Sequence, residues 1–198
     1  MEKLNSSVKK RFVLLQRLLT VWSHQTITSV QIEKFTGASS CVVRKDIQLL
    51  DLPKGVSNGY KTSELKSAVE KKLGLESAKK CCIVGLGKLG QTLLESNQLQ
   101  STPFTICAGF DSNVNRTGVL RSIYPLHPTT KLEQVIKAEQ IDFAVLCVEP
   151  HEAQIMAKKL QDAGIKGIVN YTGIVLEQTD SCRVENISLV ESLMYINY

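Results

Sequence analysis

The chain has 198 residues, 43% of them hydrophobic and 22% charged, which is enough for packed cores and too apolar for a disordered chain. No apolar run approaches the ~20 residues that cross a bilayer. The opening Met1-Glu2-Lys3-Leu4-Asn5-Ser6-Ser7 is polar where a secretory signal is apolar, so a cytoplasmic protein without a membrane partner is expected. The net charge of +5 is uneven: residues 1–80 hold 15 Lys+Arg against 7 Asp+Glu, and residues 81–198 hold 9 against 12. A basic head suits a polyanion such as nucleic acid, or is basic for solubility alone, while the body has another task. The six cysteines show no C-x-x-C spacing and read as free thiols of a reducing compartment.

In chain order, residues 7–22 predict an amphipathic helix, with Val8, Phe12, Leu15, Leu18, Leu19 and Trp22 at helical spacing. Thr26-Ile27-Thr28 is extended, and Thr28 or Ser29 caps a short second helix that reaches Phe35. Thr36-Gly37-Ala38-Ser39 is a turn. A third helix follows over about Ser40–Leu50, with Val42, Ile47, Leu49 and Leu50 inward and Arg44, Lys45 and Gln48 outward. Helix, glycine turn and cation-bearing helix make a helix-turn-helix, whose second helix enters the major groove of DNA. Pro53, Gly55, Asn58 and Gly59 mark a hairpin ending at Tyr60-Lys61-Thr62, the place of a wing. A fourth helix is expected over 63–73, with Ser63 as cap, and then a linker near 74–80.

From Lys80 the pattern changes to short, wholly apolar strands alternating with helices: Cys81–Val84, Thr105–Phe110, Phe143–Val148, Gly167–Asn170 and Val184–Ile187 as strands, and 89–97, 132–139 and 152–163 as helices. That alternation predicts an α/β fold with a parallel sheet covered on both faces. Gly85-Leu86-Gly87-Lys88-Leu89-Gly90 follows the first strand directly and opens a helix, and Asp111 stands 21 residues beyond Gly90 at the end of the second strand. Glycines there permit a tight turn, close approach of a pyrophosphate and close helix–strand packing, while the helix N-terminus attracts phosphate. Asp111 is expected to accept from adenosine ribose hydroxyls and to repel a 2′-phosphate, which favours NAD(H) over NADP(H). Arg116 and Arg121 either touch the adenine or phosphates or are solvated. Cys81-Cys82 reads as a pair of buried thiols on opposite sheet faces, and His127 and His151 as solvated loop residues.

Val43-Arg44-Lys45-Asp46, Gly59-Tyr60, Gly74-Leu75, the 82–90 glycine block, Phe110-Asp111, the run from Ala163 to Asn170 and Val184-Glu185-Asn186-Ile187 together resemble the Rex family of redox-sensing transcriptional repressors. The resemblance covers nearly the whole chain. It implies a winged-helix domain over 1–76, a Rossmann domain over 77–186, and a C-terminal helix over 187–198 that exchanges between the subunits of a homodimer. It implies repression of transcription without catalysis: operator DNA bound with NAD+ and released when NADH accumulates. Carried onto this chain, Ser39, Ser40, Val43, Arg44 and Lys45 would face DNA, with Lys54 and Tyr60 from the wing. Gly85, Gly87, Lys88, Leu89, Gly90 and Asp111 would hold adenosine and pyrophosphate. Val148, Glu149 and Pro150, with Asn170, Tyr171, Thr172 and Gly173, would line the nicotinamide end.

The chain departs from the family pattern in four places. The segment after the recognition helix looks shorter and has Leu49-Leu50 where the family carries an aromatic pair. The wing lacks its arginine, Lys54 being the nearest cation. The helix after the glycine loop ends Leu94-Glu95-Ser96-Asn97 without the usual tyrosine, and the C-terminal helix is short. The alternatives are a regulator of the same fold whose body only dimerises or senses another nucleotide-type ligand, and a small dehydrogenase. The ~118-residue body leaves no room for a substrate domain and argues against the dehydrogenase.

Overall fold

The computed structural model describes residues 4–52, 59–100 and 102–197, Gln98 by its backbone alone. The chain divides into two compact units, Met1–Ser77 and Ala78–Tyr198.

In the first unit, α1 (Ser6–Val21) starts where the Asn5 side chain accepts from the amides of Ser7 and Val8. Thr28, rather than Ser29, caps α2 (Ser29–Thr36): its side chain and that of Gln31 form a reciprocal capping box, and Gly37 closes the helix in the left-handed region. Ser39 caps α3 (Ser40–Ile47), which ends one turn earlier than its apolar pattern suggests, with Gln48 as the C-cap. A two-residue strand β1 (Thr26–Ile27) pairs antiparallel with β2 (Tyr60–Lys61). Helix α4 (Thr62–Leu73) follows without a side-chain cap, so Ser63 does not act as one. Phe12, Leu15, Leu19, Ile27, Ile32, Val43, Ile47, Leu50, Leu65 and Val69 share one core. Arg11 on α1 clasps Asp46 on α3 through two parallel hydrogen bonds, Nη2 to Oδ1 at 2.9 Å and Nε to Oδ2 at 2.5 Å, which tie the two helices together.

The second unit is a six-stranded sheet in the order β5-β4-β3-β6-β7-β8, every pairing parallel. Its strands are β3 (Lys79–Val84), β4 (Phe104–Asp111), β5 (Leu126–Pro128), β6 (Phe143–Leu146), β7 (Gly167–Asn170) and β8 (Arg183–Asn186). Its helices are α5 (Lys88–Glu95), α6 (Val114–Val119), α7 (Leu132–Glu139), α8 (Pro150–Asp162) and α9 (Leu189–Ile196). Neither α6 nor β5 is expected from the sequence. Six and three residues are too few to show a period. Helix α8 begins two residues earlier than expected, because Pro150 fits the first helical position.

Strand β3 is buried on both sides. Cys82 and Val84 pack with α7 and α8, whereas Cys81 and Ile83 pack with Leu86 and Leu94 on the α5 side. The sheet runs outward in both directions from β3, so the gap between the loops after β3 and β6 is a topological switch point, where open α/β sheets bind ligands. No helix among the described residues is long and apolar enough to cross a membrane.

Candidate nucleic-acid face and dinucleotide cradle

Cys41, Arg44, Lys45 and Gln48 form the exposed stripe of α3, and Ser39 and Ser40 stand at its start. Arg44 Nη1 donates to Ser29 Oγ at 3.2 Å, which holds the guanidinium against the start of α2. The Ser40 amide is already met by Glu33 Oε2 at 2.9 Å, so side chains and not the free helix end are what α3 presents. Val43 does not belong to this stripe. It is 4% exposed and sits in the core beside Ile47, one helical step of ~100° from the solvated side. Tyr60 is half-buried against the same core, and its strand reaches β1. Lys54 and the rest of 53–58 lie outside the described residues. Cys41 and Gln48 complete the stripe. Their spacing from Arg44 and Lys45, at i−3 and i+3, is the signal in the sequence that identifies them.

The glycine loop of the second unit has the geometry that its sequence foretells. Gly85 has φ +92°, and a side chain there would meet the Cys147 carbonyl carbon at 2.6 Å and the Val148 nitrogen at 2.7 Å. Only glycine lets the loop after β3 lie against the loop after β6. A Cβ at Gly90 would strike the Gly85 carbonyl oxygen, so α5 packs on the loop at backbone distance. Gly87 is the opposite case: nothing lies within 4 Å of a Cβ built there, and α5 starts at it without a side-chain cap. That open, uncapped helix start is what a pyrophosphate needs, and the residues present fit one. Lys88 and Leu89 follow on the exposed first turn. Gln91 Nε2 donates to the Leu86 carbonyl at 2.8 Å and braces the loop from below.

Asp111 is 2% exposed, and its carboxylate is engaged by the protein itself. Oδ2 accepts from the Leu86 amide at 2.7 Å and from Arg116 Nη1 at 2.8 Å, while Oδ1 accepts from the Asn113 amide at 2.7 Å. Of the two arginines beyond it, Arg116 therefore pairs with Asp111, and Arg121 stays exposed. His127 is not a loop residue: it lies on β5, half-buried beside Phe110 with ring centroids 5.8 Å apart. His151 is exposed on the first turn of α8.

Of the residues expected to line the nicotinamide, Val148 packs on the core, and Glu149 and Pro150 stand exposed at the start of α8. Asn170 and Thr172, expected as ligand contacts, turn inward. Asn170 is 1% exposed; its Nδ2 donates to the Ile174 carbonyl at 2.7 Å and to Asn186 Oδ1 at 2.8 Å. Its Oδ1 accepts from the Thr172 amide at 3.0 Å and the Thr172 hydroxyl at 2.6 Å. The two residues build the loop that presents Tyr171, which is 39% exposed. Burial pushes the Cys147 thiol up to about 11 and the Cys81 thiol up to about 12, so both are neutral at physiological pH. No metal-ligating cluster occurs among the described residues.

The family model of a CoA binding domain matches residues 76–174. A redox-sensing transcriptional repressor Rex of Lactobacillus gasseri is 28% identical over 99% of this chain and 93% of its own length. That of Clostridioides difficile is 31% identical over 88% and 83%. The Rex-family repressor RSP, crystallised with NAD+ and operator DNA, superposes with a TM-score of 0.88 at 27% identity, covering 100% of this chain and 93% of its own. The same repressor with NADH gives 0.84. Identity at this level over both units, the winged helix included, settles the family: the chain belongs to the Rex redox-sensing transcriptional repressors.

Proposed function

We propose that the chain represses transcription by holding operator DNA with α3, and that its Rossmann unit reports the NADH/NAD+ balance to that helix. The observation that carries this reading is the open, uncapped start of α5 at Gly87, placed at the switch point of the sheet on a chain that also carries a cation-lined recognition helix. RSP, similar along both units, binds NAD+ with operator DNA in one crystal and NADH in another. Here Gly85, Gly87, Lys88, Leu89 and Gly90 cradle the pyrophosphate, and the Asp111 corner takes the adenosine ribose. Tyr171, with Val148, Glu149 and Pro150, faces the nicotinamide. Ser39, Ser40, Arg44 and Lys45 meet the DNA, and Lys54 and Tyr60 are further contacts to it. The protein works in the cytoplasm as a regulator and not as a catalyst.

The active form is a homodimer joined by exchange of α9. No residue of α9 is buried, and Leu189, Val190, Leu193, Met194, Tyr195 and Ile196 are all exposed. An eight-residue helix that apolar is stable only against another surface. Two heads then span successive major grooves, about 34–36 Å apart. NADH acts by favouring a dimer state in which that spacing is lost, and it shifts the balance only by its differential affinity for the two states.

The test is calorimetric titration with NADH and NAD+, paired with fluorescence anisotropy of operator DNA at each cofactor ratio. NADH that binds more tightly than NAD+ and weakens DNA binding supports the reading; equal binding of the two, or DNA binding indifferent to both, refutes it. The match to a CoA binding domain favours a second reading, a different nucleotide-type ligand. Binding of coenzyme A in place of NAD(H) in the same titration would establish it.

A further inference from the structure

We propose that Gln91 is a positioning residue for the pyrophosphate: its side-chain amide holds the Leu86–Gly87 peptide so that the Gly87 N–H stays free for a phosphate oxygen before any ligand arrives. The proposal rests on the reading of the Rossmann unit as a dinucleotide site and deepens it.

A peptide unit is planar and trans, so its carbonyl and its N–H point in opposite directions. Gln91 Nε2 donates to the Leu86 carbonyl at 2.8 Å. That bond fixes one side of the Leu86–Gly87 peptide, and the Gly87 N–H must therefore point away from the Gln91 amide. The preceding chain is held as well: the Leu86 N–H donates to Asp111 Oδ2 at 2.7 Å, and the Gly85 N–H donates to the Phe110 carbonyl at 2.8 Å. The Leu86 side chain is fully buried in the cluster that includes Leu94 and anchors the loop there. The Gly87 amide makes no hydrogen bond among the described residues, and no side chain caps the start of α5. The space where a Cβ of Gly87 would stand is open. A donor left unspent beside the positive end of a helix is matched to a phosphate oxygen.

The helix to which Gln91 belongs puts it in place. Its own amide donates to the Gly87 carbonyl at 2.9 Å, which closes the first turn of α5 and sets the side chain one turn beyond the loop. From there the half-buried glutamine reaches back to the Leu86 carbonyl. Gln91 is the hydrogen-bond partner of that carbonyl among the described residues. Without a donor at position 91 the Leu86–Gly87 peptide can turn over, which carries the Gly87 N–H away from the phosphate. Binding must then restore the orientation, and affinity falls by that cost.

The experiment is calorimetric titration of the full chain with NADH and with ADP-ribose, which carries the adenosine and the pyrophosphate without the nicotinamide. It is repeated for Gln91→Met, which keeps the length and loses the donor, and for Gln91→Glu, with folding checked by circular dichroism. Gln91→Met should weaken both ligands alike by about tenfold, the scale of one hydrogen bond. Gln91→Glu should be at least as weak at pH 8, because a carboxylate cannot donate to the Leu86 carbonyl. Between pH 8 and pH 5 its ADP-ribose affinity, taken relative to the unmodified chain at each pH, should rise past that of Gln91→Met as the carboxyl gains its proton and becomes a donor. Lys88 and Asp111 are common to all three chains, so the ratio isolates position 91. A brace that served stability alone would lower the melting temperature and leave affinity intact. Unchanged affinity in folded Gln91→Met, or a Gln91→Glu ratio that is flat or stops at the Gln91→Met level, overturns the proposal. Should Gln91→Met not fold, the pH series of Gln91→Glu decides. If the unmodified, folded chain binds neither ligand, the dinucleotide reading itself fails and this proposal falls with it.

Discussion

Replacing Asn170 with leucine, which has nearly the same shape, should unfold the second unit well before the first. Asn170 is 1% exposed and makes four hydrogen bonds. Leucine fills the volume and strands the Thr172 amide in a buried position, together with the Ile174 carbonyl in a half-buried one. Asn186 Oδ1 is less affected, because it still accepts from the Leu176 amide at 3.2 Å. Each stranded buried group costs ~1–3 kcal/mol, so a loss of about 3 kcal/mol is expected. For a unit of this size that is roughly 9–15 °C in Tm. Asn170→Asp keeps the acceptor toward Thr172 but turns a carboxylate oxygen toward two other acceptors. Its folded-state pKa is therefore raised, and its destabilisation should ease as pH falls and the carboxyl becomes a donor. The assay is thermal and urea unfolding followed by far-ultraviolet circular dichroism, with tryptophan fluorescence as an internal control. Trp22 is the single tryptophan and lies in the unit Met1–Ser77. A Rossmann transition that stays at the wild-type midpoint in Asn170→Leu would refute the structural role assigned to this knot.

Five further outcomes are expected. Gly85→Ala forces a side chain into the Cys147 carbonyl at φ +92°; the strain of ~1–3 kcal/mol should lower the circular-dichroism midpoint and abolish NAD(H) binding in calorimetry, and normal binding would contradict the cradle. Arg44→Ala should weaken operator binding by roughly ten- to hundredfold in anisotropy at fixed salt, leaving cofactor affinity unchanged. Val43→Ala should instead lower the melting temperature of the first unit, and the reverse pattern would place Val43 on the DNA face after all. Of the six cysteines, Cys41 is exposed and the others are buried or half-buried, so Ellman's reagent at pH 8 should react fast with one thiol and with all six only after unfolding. Because burial raises the Cys81 and Cys147 values to about 12 and about 11, the unfolded chain ionises first as pH rises. Stability should therefore be intact below about pH 8.5 and fall between there and pH 12, and a flat profile over that window would speak against buried neutral thiols.

The sequence by itself determined the order of the longer elements, the two-part organisation and the glycine loop, because each rests on local chemistry. Apolar periodicity reports which residues face inward within one helix or strand, and Gly85, Gly87 and Gly90 are specified by backbone needs within six residues. Helix α6 and strand β5 escaped for want of length, and Val43 because Val42 and Val43 are equally apolar and only the packing of α3 on α1 and α2 fixes which one turns in. What only the tertiary structure decided is how the polar site residues use their atoms. Asp111 meets Leu86 from 25 residues away, and Asn170 meets Asn186 from 16 away. A carboxylate or an amide at a strand end reads the same in sequence whether it faces a ligand or its own chain. Burial settles the matter: a polar group removed from water must find partners inside the fold, and at Asp111, Asn170 and Thr172 the nearest partners are the protein's own.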